Sequence, residues 1–299
     1  MKRLIALFAL VAVALSAEAQ ENFKFGKVKA ADLEKKSYSV DIANADAVIL
    51  DELQQTYIYL FDSRIDLQKQ GVLLSSQTTI SRKVKILRDE GVRHATISFD
   101  YYCEKASTPT HTIAYVGDIE ASSYSLVDGK VEKYTIKEEE INVRWVDDTT
   151  VRVEFTIPNV AAGSIIEYSY KMAKRSIQPY SLGFVMQHDI PVVSSRCEVI
   201  ARTQLPPQMQ CRDNWFAVMA SANTNIKSSK MESKARVYFI TNVPVSLRKV
   251  IKGGYDKINN VYDMCTLYTY SANNLPAVTA ATPASDVATI NVILQDNKL

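Results

Sequence analysis

Apolar and polar residues alternate along much of this chain, and the alternation is clearest between Thr150 and Met172. The segment TVRVEFTI places an apolar residue at every second position, and the segment IIEYSYKM does so again. A period of two with one apolar face is typical of half-buried β-strands. Pro158, Asn159 and Gly163 separate the two segments and favour a turn. We therefore predict two strands that pair antiparallel through this turn.

The same alternation predicts strands over most of the remaining sequence. Asp128-Gly129, between residues 119–126 and 131–136, is a strong hairpin signal. A second hairpin is expected where residues 78–87 and 95–101 flank the turn residues 89–91. Further strand candidates are residues 47–50 and 56–61, separated by residues 51–54, and residues 141–145, 184–187, 192–193, 197–201, 216–219, 237–240, 262–270 and 288–294.

Short strands with frequent turn signals indicate the fold class, because only residues 30–36 suggest a helix of one or two turns. We predict an all-β fold, a large antiparallel β-sandwich with little helix. Residues 20–299 are long enough for one large core or for two packed sub-domains divided near residues 175–190.

The first nineteen residues have the pattern of a signal peptide. Lys2 and Arg3 precede an apolar run over residues 4–15, and Ala17-Glu18-Ala19 offers the small residues that a signal peptidase accepts. The run is shorter than the roughly 20 residues that span a bilayer, so a membrane anchor is the weaker interpretation. We expect an exported protein without a membrane span, periplasmic or at the cell surface or secreted.

The amino-acid composition argues against two kinds of binding function, nucleic-acid binding and nucleotide binding. The formal net charge of +2, without a basic block, argues against a nucleic-acid partner. With 9 glycines and no glycine-rich phosphate loop, a nucleotide site is not predicted, and no other cofactor is predicted either.

Four cysteines would lie in a compartment where disulfides persist. They are Cys103, Cys197, Cys211 and Cys265, and they contain no CxxC pair of the kind that binds zinc. The pairing that we favour is Cys197 with Cys211, since the chain turns at Pro206-Pro207 between them. Buried free thiols are the alternative.

No catalytic or metal-binding residue is predicted. Cys211 precedes Arg212, which can lower a thiol pKa, but no helix N-terminus or neighbouring base is evident. His94, His111 and His188 lack the short spacing of metal ligands. Asp62 and Asp66 resemble calcium ligands only in spacing, since a loop glycine is missing. A surface ion pair is the simpler interpretation.

Tyrosine provides the one signal for ligand binding, with 16 residues against 9 phenylalanines and 2 tryptophans. A tyrosine joins a flat contact face to a polar tip. Tyr57, Tyr59, Tyr101 and Tyr102 are therefore candidate contacts for a glycan or a partner protein, although neighbouring strand residues face opposite ways and one of Tyr101 and Tyr102 is expected in the core. Tyrosines that only build the sheet are the alternative.

Several short segments, in order, resemble the domain-of-unknown-function family that lies N-terminal to transglutaminase-like domains in envelope proteins of Gram-negative bacteria. These segments are AVIL at 47–50, KIL at 85–87, DGK at 128–130, IPNV at 157–160, GSIIEY at 163–168, Gln187 with IPV at 190–192, and NLPA at 274–277.

The resemblance implies a β-sandwich of unassigned function. In longer relatives of this kind, a cysteine-peptidase-like fold with a Cys, His and Asp constellation follows. This sequence ends at Leu299, about where that second fold would begin, so its catalytic residues have no counterpart here. Thr282-Pro283 also departs from the family pattern, in which an acidic residue is expected before the proline.

Three hypotheses follow. The first is a non-catalytic, exported interaction or scaffold module of the bacterial envelope, working beside an envelope protein such as a separately encoded transglutaminase-like protein. The second is a carbohydrate-binding module that uses the tyrosines. The third, a hydrolase whose site is assembled by the fold, would need Cys211 or His188 to gather with other reactive groups.

Overall fold

The computed structural model describes residues 25–62, 72–103, 113–176, 180–202, 216–222, 235–242, 245–247, 249–260, 263–284 and 287–296. Strands dominate this part, and the predicted all-β fold is confirmed. The strands are β1 (Ala47–Asp62), β2 (Val72–Ile86), β3 (Thr96–Tyr102), β4 (Ile113–Val127), β5 (Lys130–Thr135), β6 (Ile141–Trp145), β7 (Thr150–Thr156), β8 (Ile165–Ser176), β9 (Tyr180–Val185), β10 (Val192–Arg202), β11 (Phe216–Ala222), β12 (Ala235–Asn242), β13 (Ile251–Asn260), β14 (Asp263–Leu275) and β15 (Thr289–Asp296).

Helices are short. The helix α1 (Ala30–Glu34) forms in the predicted place, and 3-10 helices occupy Asp89–Ala95, Glu138–Glu140 and Val245–Leu247. Across the described residues, we find no helix with the length and apolar character that a bilayer crossing requires.

One large sheet forms the body of the molecule, with the strand order β13-β14-β10-β1-β2-β8-β4-β5. All neighbours in it are antiparallel except β1 and β10, which run parallel, so the sheet is mixed. A three-stranded sheet has the order β3-β7-β6, and a four-stranded sheet has the order β11-β12-β15-β9 with β11 and β12 parallel.

The smaller sheets share a core with the large one. Phe99 of the three-stranded sheet stacks on Tyr170 of β8, with ring centroids 4.2 Å apart. Phe184 of β9 and Ile290 of β15 are buried in the same core cluster as Tyr170 of β8. Residues on both sides of the sequence division predicted near 175–190 thus pack together.

The hairpin through Asp128-Gly129 is confirmed. Strands β4 and β5 pair antiparallel around it. Asp128 has φ of 49° and Gly129 has φ of 74°. Two successive residues with positive φ are typical of the type I′ turn, whose twist matches that of the flanking strands.

The other two predicted hairpins are wrong, although their strands exist. Strand β2 pairs with β1 and β8, whereas β3 pairs with β7. Strand β7 pairs with β3 and β6, so β7 and β8 lie in different sheets. The reason is that the segments after β2 and after β7 carry the chain from one sheet to the other. Within the first, a Cβ on Gly91 would lie 2.2 Å from the carbonyl oxygen of Asp46, which explains the glycine.

The predicted break at residues 51–54 is also wrong, because β1 is one continuous strand. Its pairing with β2 shifts between Ile49 and Asp51, as in a β-bulge. The extra residue inverts the alternation: Ile49 lies opposite Val84, and Glu52 lies opposite Arg82. Glu52 therefore points to the same face of the sheet as Ile49, into the core.

The opposite face of the large sheet is covered, at β4 and β8, by the N-terminal segment. Leu33 of α1 packs against Tyr124 and Ile165. The Nζ of Lys85, a residue that is 3% exposed, donates to the carbonyl oxygens of Leu33 and Gly163. Burial lowers the pKa of Lys85 to about 8, against an opposing effect of Asp32.

Candidate functional site

A cluster of polar side chains lies buried between the sheets, around Glu52. The carboxylate of Glu52 is fully buried. Its Oε1 accepts a hydrogen bond from Nε of Arg82 at 3.0 Å, and Nη2 of Arg82 contacts the same oxygen. Its Oε2 lies 2.9 Å from Nε2 of His188 and accepts a hydrogen bond from Oγ of Ser195 at 3.1 Å. Nη1 of Arg82 donates to the hydroxyl of Tyr168 at 2.9 Å. We call these five residues the Glu52 cluster.

The fold brings these groups together from separate strands. Glu52 is inward because of the bulge in β1, and Arg82 lies opposite it on β2. Ser195 is the neighbour of Glu52 across the parallel pair β1 and β10. His188 lies in the connection between β9 and β10. The cluster is thus a product of strand pairing that no local motif encodes.

Charge keeps Glu52 ionised. Burial alone would raise the pKa of Glu52, but the charges of Arg82 and His188 and the hydrogen bonds from both outweigh burial and lower the pKa to about 2. Nε2 of His188 has two neighbours in the cluster: Oε2 of Glu52 at 2.9 Å, which can only accept a hydrogen bond, and Nη2 of Arg82 at 3.3 Å, which can only donate one. Nε2 of His188 is thus directed at two members of the cluster, Glu52 and Arg82.

The order of contacts differs from that of a catalytic triad. In a triad the imidazole lies between the nucleophile and the acid, so that it can accept the nucleophile's proton. Here the acid lies between the hydroxyl of Ser195 and the imidazole of His188. The arrangement can hold a fixed charge in the core, but it does not activate Ser195.

Cys197 is buried next to this cluster, on β10. Burial raises the pKa of its thiol, and the charges of Glu52 and Glu198 raise it further. Reactive cysteines have a lowered pKa, so this thiol has the opposite character. Cys197 is in no disulfide with another described residue. Cys211 lies outside the described residues, so the pairing of Cys197 with Cys211 stays a prediction.

The described histidines lie beside different acids. Nε2 of His94 is 3.2 Å from Oδ1 of Asp46, whereas His188 contacts Glu52. His111 lies outside the described residues, as do residues 63–66 of the segment considered for calcium. Among the described residues, no group of histidine, cysteine and acidic side chains has the geometry to hold a metal ion.

A cleft of about 870 Å³ opens beside the end of β14 and the residues 276–279 that follow it. Its charged lining is largely engaged in internal contacts. Nη2 of Arg93 is 2.9 Å from Oδ2 of Asp46, and Arg88 donates to the carbonyl oxygen of Ala43. The lining of this surface depression combines polar and apolar residues.

A second and smaller cleft, of about 230 Å³, lies between β3 and β9 above the strands of the large sheet. Tyr101, Tyr102 and Tyr115 line it, and we call it the tyrosine groove. Tyr102 is 46% exposed and Tyr115 is 63% exposed. Nζ of Lys174 lies 6.0 Å from the ring centroid of Tyr102. The hydroxyl of Thr78 supplies a polar group on the floor, 2.8 Å from that of Thr56.

The four tyrosines singled out by sequence have different positions. Tyr101 packs partly into the core and Tyr102 faces outward, as the alternation requires. Tyr57 is only 5% exposed, which removes its ring from any contact surface. Tyr59 belongs to β1, but its side chain is outside the described part.

Sequence reasoning missed the Glu52 cluster and Tyr115. A signal for the former exists, since Arg82 interrupts an otherwise apolar row on β2. A cation in a row of core-facing residues predicts a buried acid nearby. The sequence does not show that this acid is Glu52, because Glu52 faces the core only through the bulge in β1. Tyr115 lies in β4 ahead of the predicted strand at residues 119–126, and no sequence signal marks it.

Comparison with known proteins gives a family. Residues 74–279 match the family described as a domain of unknown function with a solved structure, DUF3857. No curated protein matches the sequence.

Two solved structures show the range of fold similarity. A candidate protease from Parabacteroides distasonis is similar over 84% of this chain, with 9% identity and a TM-score of 0.51. This chain spans only 41% of that protein. A candidate nutrient-binding protein from Legionella pneumophila has 6% identity and a TM-score of 0.27, over 86% of this chain and 69% of its own. The first similarity concerns the fold alone.

Proposed function

This chain belongs to the DUF3857 family, and we propose that it is a non-catalytic β-sandwich that works as an interaction or scaffold module of the bacterial cell envelope. The signal-peptide pattern of residues 1–19 supports export to the periplasm or the cell surface. The partner that we propose is an envelope protein.

The observation that carries this proposal is the closure of the Glu52 cluster. An imidazole, a carboxylate and a hydroxyl do meet in the core, but their hydrogen bonds are directed at one another. Ser195 donates to Oε2 of Glu52, and Nε2 of His188 contacts the same oxygen. The neighbouring thiol of Cys197 is buried with a raised pKa. Groups that satisfy one another in this way favour structural cohesion over reaction.

The surface supports binding. Large apolar side chains are exposed on the tyrosine groove and on the strand β6, where Val143 is 55% exposed and Trp145 is 43% exposed. Exposed apolar positions that cluster, instead of scattering, are typical of interaction sites. Tyrosine and tryptophan are also the residue types enriched at interfaces.

The test of a scaffold role is to purify the tagged chain from envelope extracts of its own bacterium, at its normal level of expression. We expect it to elute from size-exclusion chromatography with a second protein at a constant ratio, well above its own 33.5 kDa. Elution alone at its own mass, across detergent and salt conditions, would contradict the proposal.

The test of the non-catalytic role uses the purified chain with casein and with peptidoglycan peptides. We expect no turnover. Turnover that disappears in the His188→Ala or Cys211→Ala variant, with circular dichroism unchanged, would show that the chain is a hydrolase.

The tyrosine groove favours a second candidate, carbohydrate binding. Aromatic faces next to hydroxyl groups suit a sugar ring, and Tyr102 and Tyr115 present such faces at the rim. On envelope polysaccharides in affinity gels, we expect retardation that is lost in Tyr102→Ala and Tyr115→Ala. Tyr38→Ala, a change at a half-buried tyrosine outside the groove, is the matched control. Equal migration of all four proteins would exclude this candidate.

A further inference from the structure

The three-stranded sheet ends in β6, which pairs with β7 on one side and, among the described residues, with no strand on the other. Every residue from Asn142 to Trp145 is exposed. An edge strand of this kind presents a row of backbone N–H and C=O groups that a further strand can pair with.

One face of β6 continues an apolar surface that is buried elsewhere. Val143 lies opposite Val153, and Trp145 lies opposite Val151. Val151 is 3% exposed and Val153 is fully buried. Val143 and Trp145 belong to the same face, yet they are 55% and 43% exposed. The sheet thus extends beyond the cover that the large sheet gives it, and its last apolar row is partly exposed.

The other face of β6 carries one cation, Arg144, at the outer edge of the sheet. Arg152 of β7 lies between Asp100 of β3 and Arg144 of β6. Nε and Nη2 of Arg152 donate to the two carboxylate oxygens of Asp100, each at 2.7 Å. Arg144 therefore lies opposite a second cation. Its charge also acts on Asp100, and Glu154 lies on the same face opposite Asn142, but within the described residues no carboxylate is at ion-pair distance from Arg144. A carboxylate on the next strand would extend this row in the favourable order.

The edge strand β5 of the large sheet differs from β6 in its number of charged residues. Strand β5 is also an edge strand, but it carries Lys130, Glu132 and Lys133, charges that discourage pairing with a further strand. Strand β6 has one charge, Arg144, in five residues. The protection found on β5 is therefore missing on β6.

We propose that β6 binds an extended segment of another protein by β-strand addition, and that this segment alternates apolar and acidic residues. Its apolar side chains continue the row of Val143 and Trp145, and its carboxylate pairs with Arg144. The proposal rests on the scaffold function proposed above, for which it names the docking surface and the chemistry of the partner.

The experiment uses three capped ten-residue peptides, in which valine alternates with aspartate, serine or lysine, and measures their binding to the purified chain by fluorescence anisotropy. We expect the aspartate peptide to bind more tightly than the serine peptide by about two- to fivefold, the range of a cross-strand ion pair, and the lysine peptide to bind most weakly. Arg144→Glu should reverse the order of the aspartate and lysine peptides.

Two further measurements test the geometry. N-methylation of alternate backbone nitrogens of the aspartate peptide, on the edge that would pair with β6, should abolish binding because it removes the donors of the ladder. Val143→Ser should weaken binding, whereas Val127→Ser, at an exposed valine of another strand, should not. No binding by any peptide, or binding that survives both N-methylation and Arg144→Glu, would overturn the proposal.

The two proposals can fail separately. An envelope complex that persists in the Arg144→Glu and Val143→Asp variants would refute docking on β6 and leave the scaffold function intact. The absence of any complex with the unmodified chain would refute the scaffold function itself.

Discussion

Two glutamates, Glu52 and Glu167, lie fully buried on opposite faces of the large sheet, and the protein neutralises them in different ways. Glu52 faces the core between the sheets and is held by Arg82, His188 and Ser195. Glu167 faces the N-terminal segment. It lies 2.7 Å from Nζ of Lys83, and it accepts hydrogen bonds from the hydroxyl of Tyr124 and the backbone N–H of Gly26.

The difference lies in what each glutamate connects. The partners of Glu52 lie on β2, on β10 and in the connection between β9 and β10. This acid therefore links three neighbouring strands of the large sheet to the segment that enters that sheet from the four-stranded one. Glu167 instead receives a backbone N–H from the N-terminal segment, and it fixes that segment to the sheet. Buried charges of this kind add little net stability, but removal of one partner is costly because the other stays buried. They determine how these segments are arranged.

The largest effect is expected from Arg82→Met. This change leaves Glu52 without its main cation and leaves the Tyr168 hydroxyl without its donor, so we expect a loss of about 3–5 kcal/mol in the free energy of unfolding. Lys83→Met removes the cation of Glu167 but leaves the hydrogen bonds from Tyr124 and Gly26, and about 1–3 kcal/mol should be lost.

Urea unfolding of both variants at pH 7 measures the difference. The double variant Arg82→Met with Glu52→Leu should recover part of the loss, since it removes the uncompensated charge. Equal losses in Arg82→Met and Lys83→Met would show that the two glutamates are held equivalently, against our interpretation.

Acid should affect the Glu52 cluster in a defined range of pH. The pKa of Glu52 is lowered from 4.5 to about 2 in the folded protein. Its contribution is therefore complete above about pH 4.5 and is lost as the pH falls towards 2, and it amounts to roughly 3 kcal/mol. Glu52→Gln should lack this part of the pH dependence, whereas Glu132→Gln, at an exposed acid of β5, should retain it.

Unfolding curves in urea at several pH values between 2 and 5 provide the measurement. If Glu52→Gln followed the unmodified chain throughout this range, the carboxylate would have an ordinary pKa and the cluster would not hold it ionised.

The smallest effect is expected from a pair of Tyr→Phe changes. Tyr124→Phe leaves the fully buried carboxylate of Glu167 without one donor, and we expect a loss of about 1–2 kcal/mol. Tyr168→Phe removes an acceptor from Arg82, whose side chain is 23% exposed and can turn to water, so less than about 1 kcal/mol should be lost. Tyr38→Phe is the control, with a partner at the surface.

Thermal unfolding followed by circular dichroism is sensitive enough to order these three variants. A larger loss of stability for Tyr168→Phe than for Tyr124→Phe would contradict our interpretation, because it would show that the hydroxyl beside Arg82 matters more than the hydroxyl beside Glu167.

The strands were predictable because period two is a local property, but their partners were not. The pattern around residues 158–163 predicts a turn, and nothing in it shows that β7 and β8 enter different sheets. The bulge at Ile49 also misleads the sequence pattern. It inverts the alternation of apolar and polar residues within β1, and in the sequence such an inversion looks like a break between two strands. Glu52 lies within residues 51–54, so the sequence pattern does not place this central acid on a strand or in the core.

The candidate site was predictable only in part. Tyr102 was found from its residue type, and alternation placed Tyr101 and Tyr102 on opposite sides. The exposure of Trp145 was not predictable, because it depends on where the cover of the large sheet ends. Sequence patterns assign a residue to a face, but they do not show how far the opposing layer extends.

The parallel pairing of β1 with β10 has a consequence for biosynthesis. Residues 49–58 pair with residues 192–201, so one edge of the central strand stays open until the chain has been made almost to residue 200. During that interval the nascent chain exposes a long unpaired strand, which invites association with other chains. We expect a holding chaperone to bind this intermediate, and we expect premature termination before β10 to yield a fragment that aggregates.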